Sequence, residues 1–354
     1  MSFVVLERNR NKLKTLLNKR RIMIYGAGEF AHDIYNLLRD NGLKVECFLV
    51  DDEYVDAGTN KKNGLVVTSI KKLDPKYDKN LDAILWAIAA PQKVRWGWNL
   101  TDWEYYIVWD YGFWKDKNYY DDKQKEYNKA KMMLSDELSQ NVMDAYAKAQ
   151  KGNICDDVRL SSEGTYFNDL TKLDLDGAFV DCGSYDGESA ALYWKFKKNK
   201  CKVFAFEPDP DNQKKINSQF KAENDFNLIE KGCWSTTTTL SFSSNGDMTS
   251  AFSEDGDIQV DVTTIDEVVG NEKTAFIKMD IEGSELEALR GAEKVIKRDM
   301  PILAVSAYHR QEDFITLIPY INSIHSNGKR YKLYLRHHGC VSTELVLYGI
   351  PCED

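Results

Sequence analysis

No Cys-x-x-Cys pair occurs among the seven cysteines of this chain. Their odd number and wide spacing exclude a disulfide framework and a zinc site, and predict reduced thiols in a cytoplasmic protein. Long apolar runs are also missing. The longest, 81–90, is far shorter than the about 20 residues of a membrane-spanning helix. The start, Met1-Ser2-Phe3-Val4-Val5-Leu6-Glu7-Arg8, has neither the apolar core nor the cleavage pattern of a signal peptide. Positive charge is in deficit, 47 Lys and Arg against 56 Asp and Glu, giving −9 overall. That excludes a nucleic-acid partner, which needs clustered Lys and Arg. The basic stretch 195–202 adjoins acidic residues and reads as a solvated helix face. Internal repeats and low-complexity tracts are absent.

The length, 354 residues, is long for one domain, and with 43% hydrophobic residues the chain can bury two cores. Residues 1–115 read as an α/β unit. Arg21-Ile22-Met23-Ile24-Tyr25 is a short buried strand, Gly26-Ala27-Gly28-Glu29-Phe30-Ala31 opens a helix to about residue 40, and 45–50 is a second strand ending at Asp51. Further strands are expected at 81–90 and 105–109. Gly26, Gly28 and Asp51 fit a dinucleotide fingerprint, a weak pattern that packing alone also explains. Trp96, Trp98, Trp103 and Tyr105 could stack on a ring or fill a core. Helical spacing of Met132, Met133, Leu138, Val142 and Tyr146 marks 116–152 as a helical linker.

From residue 153 to 354 strands and helices alternate, the order of a parallel sheet covered on both faces. Strands are expected at 178–182, 202–206, 227–231, 275–279 and 301–306, with small extra strands at 236–242 and 258–262. Helices are expected at 187–198, 210–221, 284–297 and 311–325. A closing hairpin, 331–335 with 344–350, turns around Arg336-His337-His338-Gly339. The most informative segment is Phe179-Val180-Asp181-Cys182-Gly183-Ser184-Tyr185-Asp186-Gly187-Glu188-Ser189. It turns a buried strand into a helix with glycine where a backbone must approach a ligand. About 20 residues on, Val203-Phe204-Ala205-Phe206 ends in Glu207, an acceptor for ribose hydroxyls. Together they read as a nucleoside crevice. The Asp-x-Gly-x-x-x-Gly spacing points to S-adenosylmethionine rather than NAD.

With Ala205-Phe206-Glu207-Pro208-Asp209, Phe276-Ile277-Lys278-Met279-Asp280-Ile281-Glu282-Gly283-Ser284-Glu285, Leu289-Arg290-Gly291-Ala292 and Leu333-Tyr334-Leu335-Arg336-His337-His338, residues 125–354 resemble the FkbM family of S-adenosylmethionine-dependent methyltransferases. The resemblance implies a class I methyltransferase sheet with a reversed final strand, and methyl transfer to a hydroxyl, often on a sugar or polyketide. Residues 1–115 resemble the small Rossmann-like domains that precede some sugar-modifying enzymes.

On this basis Asp181 and Gly183 are expected at the methionine end of the cofactor, Ser184 among its contacts, Gly187 at the approaching helix start and Glu207 at the ribose. Trp234 belongs beside the adenine or in the core. Asp280 and Glu282 follow the fourth strand of the alternating run and could face the reaction crevice. Asp280 would orient the methionine amine, bind the acceptor or help hold a divalent ion, and Glu282 could instead be a helix-start acid. His309, just past the fifth strand, has an ordinary pKa near neutrality and is the candidate general base. The same three residues could hold Mg2+. His337 and His338, in the hairpin turn, are candidate acceptor contacts or a surface pair. His32 and His325 look structural.

The leading expectation is an O-methyltransferase acting on a sugar, nucleotide-linked sugar or surface glycan. A nicotinamide-dependent oxidoreductase using the first domain and a non-catalytic nucleotide-binding protein are the alternatives. The acceptor and the oligomeric state, homo-oligomer included, stay open.

Overall fold

The computed structural model describes residues 19–40, 42–55, 61–69, 81–87, 116, 118–150, 161, 163–242, 258–338 and 344–353. The chain divides into two compact units. The first comprises Met1–Lys117, Ala145–Ser162 and His338–Thr343, the second Asn118–Asp144, Glu163–His337 and Glu344–Asp354. No helix among the described residues is long and apolar enough to cross a membrane. Cys47, Cys182, Cys201, Cys233 and Cys352 are free thiols.

In the first unit, β1 (Arg21–Tyr25), β2 (Val45–Val50), β3 (Lys61–Lys62), β4 (Leu65–Ser69) and β5 (Asp82–Trp86) form one sheet in the order β3-β4-β2-β1-β5. Only β3 runs antiparallel to its neighbour. The helix α1 (Glu29–Asp40) crosses from β1 to β2, and a single turn, α2 (Asp52–Val55), follows β2. Ile22, Ile24, Leu38, Phe48 and Leu85 form the core. Trp96, Trp98, Trp103, Tyr105 and the strand expected at 105–109 lie outside the described residues.

The second unit opens with three helices, α3 (Tyr119–Asp122), α4 (Gln124–Met132) and α5 (Glu137–Gln150); residues 145–150 of α5 fall in the first unit. Seven strands follow in one sheet. They are β6 (Ala178–Cys182), β7 (Val203–Phe206), β8 (Phe226–Ile229), β12 (Thr274–Met279), β13 (Ile302–Ser306), β14 (Lys329–His337) and β15 (Leu345–Glu353). Their order is β14-β15-β13-β12-β6-β7-β8. The strands from β13 to β8 run parallel, and β15 is inserted antiparallel between β13 and β14. The strands β9 (Gly232–Cys233), β10 (Thr238–Phe242) and β11 (Ile258–Thr263) form a separate small sheet.

The central strands β6, β12 and β13 are buried at every residue. A parallel strand covered on both faces requires such an apolar run, which is why their sequences were legible. Phe179 of β6 stacks on Tyr193 of α6 (Glu188–Lys197), with centroids 4.5 Å apart. The helix α7 (Pro210–Phe220) starts sharply: the Asp209 carboxylate accepts from the Asp211 and Asn212 N–H groups, and Pro210 occupies the first turn. This cap fixes the chain just after Glu207.

Two expectations need correction. The helix expected at 284–297 is two helices, α9 (Glu285–Arg290) and α10 (Glu293–Asp299), because α9 stops at Gly291. His337 is not in a turn. It is the last residue of β14, opposite Leu345, and both His337 and His338 are fully buried rather than a surface pair. The remaining helices, α8 (Ile265–Val269) and α11 (Asp313–Asn322), lie close to expectation where one was made.

Candidate active site

The chain direction reverses its path across the sheet between β6 and β12, since β7 and β8 lie on one side of β6 and β12 and β13 on the other. In a parallel sheet, the crevice beyond the carboxyl ends of two such strands is where ligands bind. Asp181, Glu207, Asp280 and His309 all lie at or just past the carboxyl ends of these strands.

The loop after β6 is held by buried ionic contacts. Asp181 has no exposed surface, and its Oδ2 accepts hydrogen bonds from the Ser184 hydroxyl at 2.8 Å and from the Ser189 hydroxyl. Lys278, its cross-strand partner on β12, brings Nζ within 3.2 Å of Asp181 Oδ1 and donates to the Gly183 carbonyl at 2.6 Å. Burial alone would lower the lysine's pKa, but the charges of Asp181 and Asp280 raise it overall. Asp181 and Ser184 therefore brace the loop from beneath, with their polar atoms turned into the protein. Gly183 has φ +78°, and a Cβ there would lie 2.0 Å from the Asp280 carbonyl oxygen. This close approach joins the β6 loop to the β12 loop. Gly187, at φ +86°, precedes α6, and a Cβ there would lie 2.5 Å from the Phe220 ring.

Glu207 is buried, 5% exposed. It accepts the Tyr185 N–H at 2.8 Å and the Asp209 N–H at 2.9 Å. Burial raises its pKa, and those two backbone bonds oppose the rise. Each carboxylate oxygen keeps acceptor capacity beyond these bonds. Trp234 follows β9, is half-buried, and donates its backbone N–H to the Thr263 carbonyl.

The loops after β12 and β13 carry a second cluster. Tyr166 donates its hydroxyl to Asp280 Oδ2 at 2.8 Å, and Tyr308 donates to Oδ1 at 3.0 Å. Burial pushes the Asp280 carboxyl up, but Lys278, His309 and the Tyr166 hydrogen bond outweigh it, and the net direction is down. Glu282 is the open member, with 55% of its side chain exposed and a strained φ of +54°. Such strain in a non-glycine residue is frequent at functional sites. Burial, then the like charges of Asp280 and Glu285, raise its pKa against the pull of His309. His309 Nε2 lies 3.4 Å from Asp280 Oδ1 and 3.6 Å from Glu282 Oε2, and Nδ1 lies 2.8 Å from Glu285 Oε1. Burial depresses the imidazole's pKa, but the three carboxylates carry it up to about 9. The expected near-neutral value is thus overturned by charges that no local sequence shows.

In the cluster of Asp280, Glu282 and His309 the imidazole Nε2 faces the two carboxylates at 3.4 and 3.6 Å, as ion-pair partners. No group of three His, Cys, Asp or Glu suited to a metal occurs among the described residues.

Sequence reasoning assigned no role to Lys278, Tyr166, Tyr308 or Glu285. Lys278 and Glu285 lie inside the quoted Lys-Met-Asp-Ile-Glu-Gly-Ser-Glu string, so the motif itself was the signal. Tyr166 is 114 residues from Asp280 and gave none. In the first unit, Gly26 has φ +116° and donates its N–H to the Leu49 carbonyl. Gly28 is exposed, and Lys62 donates to its carbonyl at 2.7 Å. Asp51 accepts the Tyr25 hydroxyl.

The sheet order, with one reversed strand inserted next to the edge, defines the Rossmann-like fold of class I methyltransferases. Residues 181–339 match the family model described as the methyltransferase FkbM domain. The chain is similar in fold to the crystal structure of methyltransferase FkbM from Methylobacillus flagellatus KT. Identity is 23% over 96% of this chain and 93% of that one, with a TM-score of 0.52. A precorrin-6y C5,15-methyltransferase from Geobacter metallireducens GS-15 matches at 11% identity over 52% and 83% of the two chains, TM-score 0.33. An rRNA methylase from Streptococcus thermophilus matches at 18% over 52% and 91%, TM-score 0.34. No curated protein sequence matches the chain.

Proposed function

We propose that this methyltransferase uses S-adenosylmethionine to methylate a hydroxyl oxygen of a sugar, nucleotide-linked sugar or surface glycan in the cytoplasm. The observation that carries the reading is the placement of Glu207 and the Asp280–His309 cluster beyond strands on opposite sides of β6. One offers acceptors for a ribose diol, and the other can receive a proton.

The residues fit the cofactor. The Glu207 carboxylate, whose present donors are mainly backbone N–H groups, matches the two donors of a ribose. Gly183 and Gly187 let the loop beside it pack against the Asp280 carbonyl and the Phe220 ring, and Lys278 pairs with Asp181 beneath it. The cofactor, when bound, supplies a methyl group already activated by a sulfonium. The chain's own task is to hold the acceptor oxygen in line and remove its proton.

His309 is the proton acceptor in this reading. Its Nε2 must first lose the proton that Asp280 and Glu282 stabilise, and Glu282, more than half exposed, can pass it to water. Neutral Nε2 would then take the hydroxyl proton as the methyl group passes from the sulfonium sulfur to the acceptor oxygen, and Asp280, fixed by two tyrosines and 3.4 Å from Nε2, would hold the imidazolium so formed. The acidic surroundings disfavour a phosphate close to the reacting oxygen, so a nucleotide-linked acceptor must carry its phosphates away from this edge.

A fluorescence titration with S-adenosylmethionine and with NADH tests the reading. Saturable binding of S-adenosylmethionine supports it. Binding of NADH alone would favour the oxidoreductase alternative, and binding of neither would favour a non-catalytic protein.

A further inference from the structure

Glu285 is the first residue of α9, 1% exposed, and belongs to no strand-end pattern. Its Oε1 accepts the Ile281 N–H at 3.0 Å and faces His309 Nδ1 at 2.8 Å. One oxygen thus ties the loop bearing Asp280 and Glu282 to the loop bearing His309. The other oxygen, Oε2, is buried with no hydrogen-bond partner. A buried carboxylate oxygen left unsatisfied costs stability, so packing does not explain the choice of residue here. Behind it lies Asp313, 4% exposed, which accepts the Arg310 N–H at 3.0 Å. Burial and then the Glu285 charge push the Asp313 carboxyl well up.

We propose that Glu285 is a positioning residue for methyl transfer: by holding His309 Nδ1 it aims Nε2 at the edge formed by Asp280 and Glu282. The inference rests on the proposed role of His309. Nδ1 engaged as a donor leaves Nε2 as the one ring nitrogen able to exchange a proton with an acceptor. A carboxylate acting through an imidazole in this way fixes both ring orientation and tautomer. The groups facing His309 are Glu285, Asp280, Glu282 and Asp313, with the Tyr308 ring 4.1 Å from it.

The test compares wild type with Glu285→Gln and Glu285→Asp in the full chain, reading the His309 ring by nitrogen-15 NMR without substrate and then kcat and KM separately. Loss of the charge in E285Q should move the His309 titration down by about 1–3 pH units. The acid limb of the kcat profile should move with it, kcat should fall on the order of 10²-fold or more, and KM should change little. E285D keeps the charge but withdraws it from Nδ1, and should lose kcat with a smaller titration shift. An unmoved His309 titration in E285Q, or wild-type kcat in both variants, overturns the proposal. If E285Q does not fold, E285D decides by the same readings. A shifted titration in a chain that methylates no hydroxyl would uphold the Glu285–His309 coupling and sink the proposed function instead.

Discussion

Lys278 and Asp181 face one another across β12 and β6, with Nζ and Oδ1 3.2 Å apart and side chains 5% and 0% exposed. A buried pair of this kind contributes little net stability, but removing one partner strands a charge. Lys278→Met should therefore lower unfolding free energy by about 3–5 kcal/mol in urea. Adding Asp181→Leu to it should recover most of that loss. A K278M protein as stable as wild type would show that the pair does not brace the cofactor loop.

Gly183→Ala places a methyl group against the Asp280 carbonyl oxygen in a backbone region unfavourable to side chains. The conformation alone costs about 1–3 kcal/mol, and overpacking a comparable amount. Thermal unfolding should report a clear fall in melting temperature, with loss of cofactor affinity in whatever fraction stays folded. An unchanged melting temperature would mean the two loops can separate freely.

The strand ends were legible because each signal is local. An apolar run closing in Asp181, Glu207 or Asp280 marks a buried parallel strand and its exit in one stretch of sequence. The environment of those residues was not legible. The raised pKa of His309 needs Glu285 and Glu282 from the preceding loop and helix, and Asp280 is clamped by a tyrosine from a distant segment with φ +65°. His337 was misplaced because His-His-Gly looks like a turn, whereas β14 runs through to His337.

Glu207→Ala should weaken S-adenosylmethionine binding by about 1.5–3 kcal/mol, the worth of a charged acceptor. Calorimetry on the folded variant checks this. Wild-type affinity would remove Glu207 from the ribose.

His309 also makes stability depend on pH. Its folded pKa, about 9, lies above the ordinary 6.5, so its contribution is complete below about pH 6.5 and is lost as pH rises through about 9. The contribution is about 3 kcal/mol. Urea unfolding between these limits should show wild type losing stability with rising pH, and His309→Gln losing much less. Parallel slopes in the two proteins would place the imidazole in a weaker field than the three carboxylates provide.

The central claim is methyl transfer to a hydroxyl oxygen with His309 taking the proton. The most direct measurement is mass spectrometry of neutral sugars, nucleotide-linked sugars and glycans after incubation with methyl-labelled S-adenosylmethionine, from pH 7 to 9.5. The account predicts label on oxygen, a rate that rises with pH toward about 9, and a fall of about 10²–10⁴-fold in His309→Ala with cofactor affinity intact. Label on nitrogen or carbon, or His309→Ala matching wild type across that range, would contradict it.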